Sequence, residues 1–114
     1  MQEGTILSLT SRNPAVASDA LDAWVRIRHS RPVSRANLLR QLLAAARFRP
    51  FPEAPPMPLL VLASQHDGLV DVRCSTRLAQ RWHTRIALHP QAGHDLPLDD
   101  AAWVVDQVAR WVES

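Results

Sequence analysis

The chain has 114 residues, 46% of them hydrophobic and 21% charged, and its thirteen basic side chains, all arginine, leave a formal net charge of +2. That length and apolar fraction suit one domain with a core and exclude a disordered chain. The arginines are scattered along the sequence, so the small positive charge marks no dedicated nucleic-acid surface.

Residues 5–10 mix helical and strand signals and specify neither. Asn13-Pro14 reads as an N-cap followed by a first helical position, and Val16, Ala20, Leu21, Trp24, Val25 and Ile27 recur at helical spacing until Arg31-Pro32 ends the run. Ser34 stands where it caps a second helix, carrying Leu38, Leu39, Leu42, Leu43 and Ala46. Prolines at 50, 52, 55, 56 and 58 then make an extended, donor-poor connector. The chain is therefore expected to divide into a helical segment over 1–49, the connector over 50–58 and a C-terminal part over 59–114.

Leu59-Leu60-Val61-Leu62-Ala63 is short, continuously apolar and bounded by turn residues, the pattern of a strand covered on both faces in a parallel sheet. Leu78, Ala79 and Trp82 mark a helix between 71 and 83, and residues 85–89 a second strand. A last helix starts at Asp99 or Asp100, with Ala101, Val104, Val105, Val108, Trp111 and Val112 as its buried stripe and Trp103 beside it. The expected fold class is α/β, with strand, helix, strand and helix in succession. A parallel crossover puts both post-strand loops on one sheet edge, where such sheets carry their sites. Asp67 in Ser64-Gln65-His66-Asp67-Gly68 and His94 in Gln91-Ala92-Gly93-His94-Asp95 are then neighbours.

Alone, Asp67 fits an ordinary turn and His94 a packed loop histidine; the pair, spaced by strand, helix and strand, carries the chemistry. Asp99 and Asp100, close to His94, are read as helix-start residues. His66, Asp67, His89, His94 and Asp95 form no closed zinc spacing, so neither metal nor cofactor is expected. Trp24, Leu69 and Val70 are the candidates for apolar substrate contact, as are Leu38 and Leu42, although residues at helical spacing are more often core.

LLVLASQHDGLV at 59–70 and HPQAGHDLPLDD at 89–100 resemble the closing part of the α/β-hydrolase family, which ends in strand, acid, helix, strand, Gly-His loop and terminal helix. The resemblance implies serine-type hydrolysis of a small ester, amide or related bond, with Asp67 as the acid, His94 as the base and 1–49 as a helical lid. One part of the family pattern is missing. The only glycines are Gly4, Gly68 and Gly93, and none opens a G-x-S-x-G elbow, so the resemblance implies a nucleophile and oxyanion hole encoded upstream of Met1. Cys74 lies near Asp67, but as nucleophile it would reverse the family's order of parts, and a lone cysteine more commonly packs. Ser64 reads as a loop residue near the acid.

On this reading the chain alone is inactive. Its partners are a small-molecule substrate and either the missing N-terminal half or a second copy joined through the open edge of strand 59–63. The rival is a non-catalytic interaction or oligomerisation module derived from a hydrolase; a ligand-binding α/β protein without hydrolase ancestry would leave the two loops a coincidence. One cysteine and the acidic Glu3, where a secretory signal would be basic, agree with a cytoplasmic protein, and no apolar stretch approaches the ~20 residues of a membrane span.

Overall fold

Six helices and two strands follow one another in the computed structural model, which describes residues 3–114. In chain order they are α1 (Glu3–Thr10), α2 (Pro14–Ser30), α3 (Arg35–Arg47), β1 (Leu60–Ser64), α4 (Val72–Arg81), β2 (Arg85–His89), α5 (Leu96–Asp99) and α6 (Ala101–Glu113). Helices and parallel strands alternate from β1 onward, an α/β arrangement. None of the helices among the described residues is long and apolar enough to cross a membrane.

Local chemistry explains most of the boundaries. Ser34 accepts the Asn37 N–H at 3.2 Å and starts α3; Asp71 accepts the Arg73 N–H at 2.9 Å and starts α4. Asp100 caps α6 through the Trp103 N–H at 3.0 Å. Asn13 precedes α2 without a side-chain cap bond; its amide nitrogen donates to the Asp99 carbonyl at 3.0 Å. Helix α4 closes on His83, whose φ of 50° is left-handed, with Thr84 N–H reaching Ala79 O and His83 N–H reaching Gln80 O. These two bonds are the Schellman pattern, here built without the usual glycine.

β1 and β2 pair in parallel, Leu60 opposite Arg85 through Ser64 opposite His89. Helices α4 and α6 both pack on β1. Two expectations from the sequence fail here. β1 is not covered on both faces, since only Ala63 and Ser64 are buried and Leu60 to Leu62 are half-buried. The stripe of α6 is only partly covered: Val104 and Trp111 are half-buried, but Val105 is 68% exposed and Val112 70%, because nothing among the described residues lies over that side of the helix. Apolar periodicity records which face seeks cover, and here the cover is partial.

The unassigned residues 5–10 form α1, with Leu7 and Thr10 buried. Buried apolar residues number only Leu7, Ala63, Ala79, Ala92 and Leu96 among those described; Ala79 lies under the sheet on α4, and the others belong to α1, the end of β1, the loop after β2 and the start of α5. The helical segment expected over 1–49, whose first two residues lie outside those described, is uneven. Its beginning is tied to the C-terminal loops, whereas every residue from 26 to 54 is exposed.

Candidate active site

The loop leaving β1 holds Asp67 by its own backbone. The Leu69 and Val70 N–H groups donate to Asp67 Oδ1 at 2.8 and 2.9 Å, a local turn that fixes the carboxylate's direction. Its other oxygen, Oδ2, lies 2.6 Å from His94 Nδ1 on the loop leaving β2. Burial pushes the Asp67 carboxyl up, but hydrogen bonds from the Val70 N–H, the His94 ring and the Leu69 N–H outweigh it and hold the group below its ordinary value. An ionised carboxylate at Nδ1 places the imidazole proton there, which leaves the Nε2 lone pair available. Nε2 makes no hydrogen bond among the described residues. The acid is sheltered and the ring open: the side chains are 12% and 41% exposed.

Two glycines let α1 reach these loops. A Cβ on Gly68 would lie 3.0 Å from the Leu9 carbonyl oxygen, and one on Gly93 would lie 2.6 Å from that of Thr10. The helix end therefore abuts both loops through backbone. The Asp95 N–H donates to Thr10 O at 2.7 Å, and the Gly93 N–H donates to Asp99 Oδ2 at the same distance. Asp99 also accepts the Arg12 N–H at 2.7 Å and the Ser11 hydroxyl.

A second Asp-His pair supports the loop from below. His89, at the buried end of β2, accepts the Gln91 and Ala92 N–H groups at Nδ1, at 3.0 and 2.8 Å, so its proton sits on Nε2, 3.1 Å from Asp100 Oδ2. The ring meets Trp103 edge-on at 4.9 Å between centroids. Ser64, fully buried at the end of β1, donates its hydroxyl to the Ala92 carbonyl. That bond joins the two strand ends.

Comparisons of the chain with protein-family models, curated proteins and solved structures each find no match. The site's geometry has to carry the interpretation by itself.

The other residues singled out in the sequence fall elsewhere. Leu69 and Val70 expose their side chains, 50% and 39%, and serve the site through their backbone; Trp24 is half-buried on α2. Leu38 and Leu42 are exposed on α3. A cavity of about 600 Å³ is lined by the connector at Phe51 to Pro55 and by Trp82, not by the Asp67 and His94 loops. Cys74, read as a packing residue, is exposed on the first turn of α4. Among the described residues no three His, Cys, Asp or Glu side chains converge as a metal-binding group. The supporting roles of Asp99 and His89 had no local signal, since Asp99 meets Ser11 across 88 positions of sequence.

Proposed function

We propose that this chain supplies the acid and the general base of a serine-type hydrolase of the α/β-hydrolase kind, acting on a small ester, amide or related bond. The observation that carries the reading is the 2.6 Å Asp67–His94 contact, with the far side of the carboxylate locked by two backbone N–H groups and Nε2 left without a partner among the described residues. The nucleophile and oxyanion donors come from sequence outside these 114 residues. Nε2 takes the hydroxyl proton as the nucleophile attacks the carbonyl, Asp67 stabilises the imidazolium, and the same proton then passes to the leaving group. Ser64 does not serve as nucleophile, because its hydroxyl is buried and committed to the Ala92 carbonyl.

The test extends the reading frame upstream of Met1 and follows hydrolysis of an activated small ester. The 114-residue chain should be silent and the extended protein active. In the extended protein His94→Ala or Asp67→Ala should lower turnover by a factor on the order of 10³ to 10⁶, because triad members act as a unit. Cys74→Ser should leave it within a few-fold. Unaltered turnover in His94→Ala would defeat the reading, as would Cys74-dependent hydrolysis by the short chain.

A second reading is supported by the exposed apolar residues of α3 and α6 and by the two-stranded sheet, whose outer edges are unpaired among the described residues. On it the chain is an interaction or oligomerisation module derived from a hydrolase, and its Asp-His pair is inherited rather than used.

A further inference from the structure

We propose that Asp99 is the positioning residue of the Asp67–His94 pair, holding the His94 loop against the end of α1. Its catalytic consequence rests on the hydrolase reading, but its structural claim does not. His94 is clamped through both of its chain neighbours: the Gly93 N–H by Asp99 Oδ2 at 2.7 Å and the Asp95 N–H by the Thr10 carbonyl at 2.7 Å. Asp99 serves both clamps. The same carboxylate accepts the Arg12 N–H and the Ser11 hydroxyl, and so fixes the helix end that presents Thr10 O.

No other side chain reaches both the α1 end and the Gly93 backbone among the hydrogen bonds of the described residues. A Cβ added to Gly93 would lie 2.6 Å from Thr10 O and 3.1 Å from Ser11 C, so the loop backbone sits against the end of α1 with little slack. A shift of about 1 Å in the loop would open the 2.6 Å contact beyond hydrogen-bond range. Asp99 touches neither the acid nor the base. It acts by where it puts them.

The decisive measurement is the tautomer of His94, read from the ring nitrogen shifts of the full chain labelled with ¹⁵N-histidine, at a pH where the ring is neutral. The parent should show His94 protonated at Nδ1, the tautomer Asp67 selects, and Asp67→Asn should lose that preference. Asp99→Ala, its far-ultraviolet circular dichroism unchanged, should lose it too. Should Asp99→Ala unfold, Asp99→Ser decides in the same way: its hydroxyl is one atom shorter than the carboxylate and cannot reach the Arg12 and Gly93 N–H groups together, so the Nδ1–H signal should weaken. Ser11→Ala, which spares the Asp99–Gly93 bond, should keep it. An Nδ1–H tautomer untouched by Asp99 substitution would overturn the positioning role and leave the hydrolase reading standing. A parent without that tautomer would overturn the Asp67–His94 pair itself, and the positioning role with it.

Discussion

Gly93 has no room for a side chain, and its neighbour at 2.6 Å is the backbone oxygen of Thr10, which cannot rotate aside. Gly93→Ala should therefore force the His94 loop off α1 and lower stability by about 1–3 kcal/mol, the usual cost of overpacking. Gly4 is the contrast. A Cβ there meets only Leu21 Cδ1 at 4.0 Å, so Gly4→Ala should be neutral or stabilising, by about 0.4–1 kcal/mol. Urea titrations check both: the midpoint should fall in Gly93→Ala and hold or rise in Gly4→Ala. Asp67 and His94 were legible because each sits just past an apolar run, with a crossover between them. Asp99 was not, since its partners Ser11, Arg12 and Gly93 follow no repeat or spacing that names it.

The same carboxylates set the acid limit of the fold. Burial opposes ionisation of Asp99, yet hydrogen bonds from Ser11 and from the Arg12 and Gly93 N–H groups leave its pKa lowered, as at Asp67; at Asp71 the Arg73 side chain brings it down to about 2. A pKa lower in the folded than in the unfolded chain means stability that is complete above about pH 4 and lost as pH falls through the folded values. Denaturant midpoints should thus hold from neutral pH down to about pH 4 and drop steeply below it. In Asp99→Asn the drop should be shallower, from a lower plateau.

At the scale of elements, capping chemistry was partly legible: Ser34 makes the N-terminal bond its residue type suggests, and Asp100, one of two candidates, does so for α6, whereas Asn13 makes none and the Asp71 cap was not read from the sequence. α1 escaped because its eight residues carry mixed signals and it packs on its neighbour α2, with its end bonded to the loop after β2. α5, four residues of Leu-Pro-Leu-Asp, is a single turn started by Asp95, too short to show a period. The end of α4 offers a clean test. His83 occupies a left-handed position that costs an L-residue about 1–2 kcal/mol, while glycine pays only about 0.5–1 kcal/mol of extra chain entropy. His83→Gly should stabilise the chain by about 0.5–1 kcal/mol, measured by thermal unfolding, without changing the β1–β2 register. Loss of stability would show that the His83 side chain contributes more than its backbone costs.

At the scale of the whole molecule, the Cα radius of gyration is 16.2 Å, against about 13 Å for a closed domain of roughly this size. The excess comes from helices whose apolar residues find no cover: Leu39 and Leu42 on α3, Val105 and Val112 on α6 are all more than half exposed. Leucine and valine left in water at this density favour association, and among the described residues β1 and β2 each keep one unpaired edge. The 114-residue chain at micromolar concentration should therefore sediment as a dimer or larger species. Val105→Asp with Val112→Asp should shift it toward monomer if α6 is the covered face, and Leu39→Asp with Leu42→Asp if α3 is. Should neither pair act while association persists, the sheet edge is the joint, and Leu60→Pro should break it by removing a donor from β1. A monomer of about 13 Å radius with two-state unfolding would mean that the helices fold back to close the core in solution, and would remove the support for the interaction-module reading.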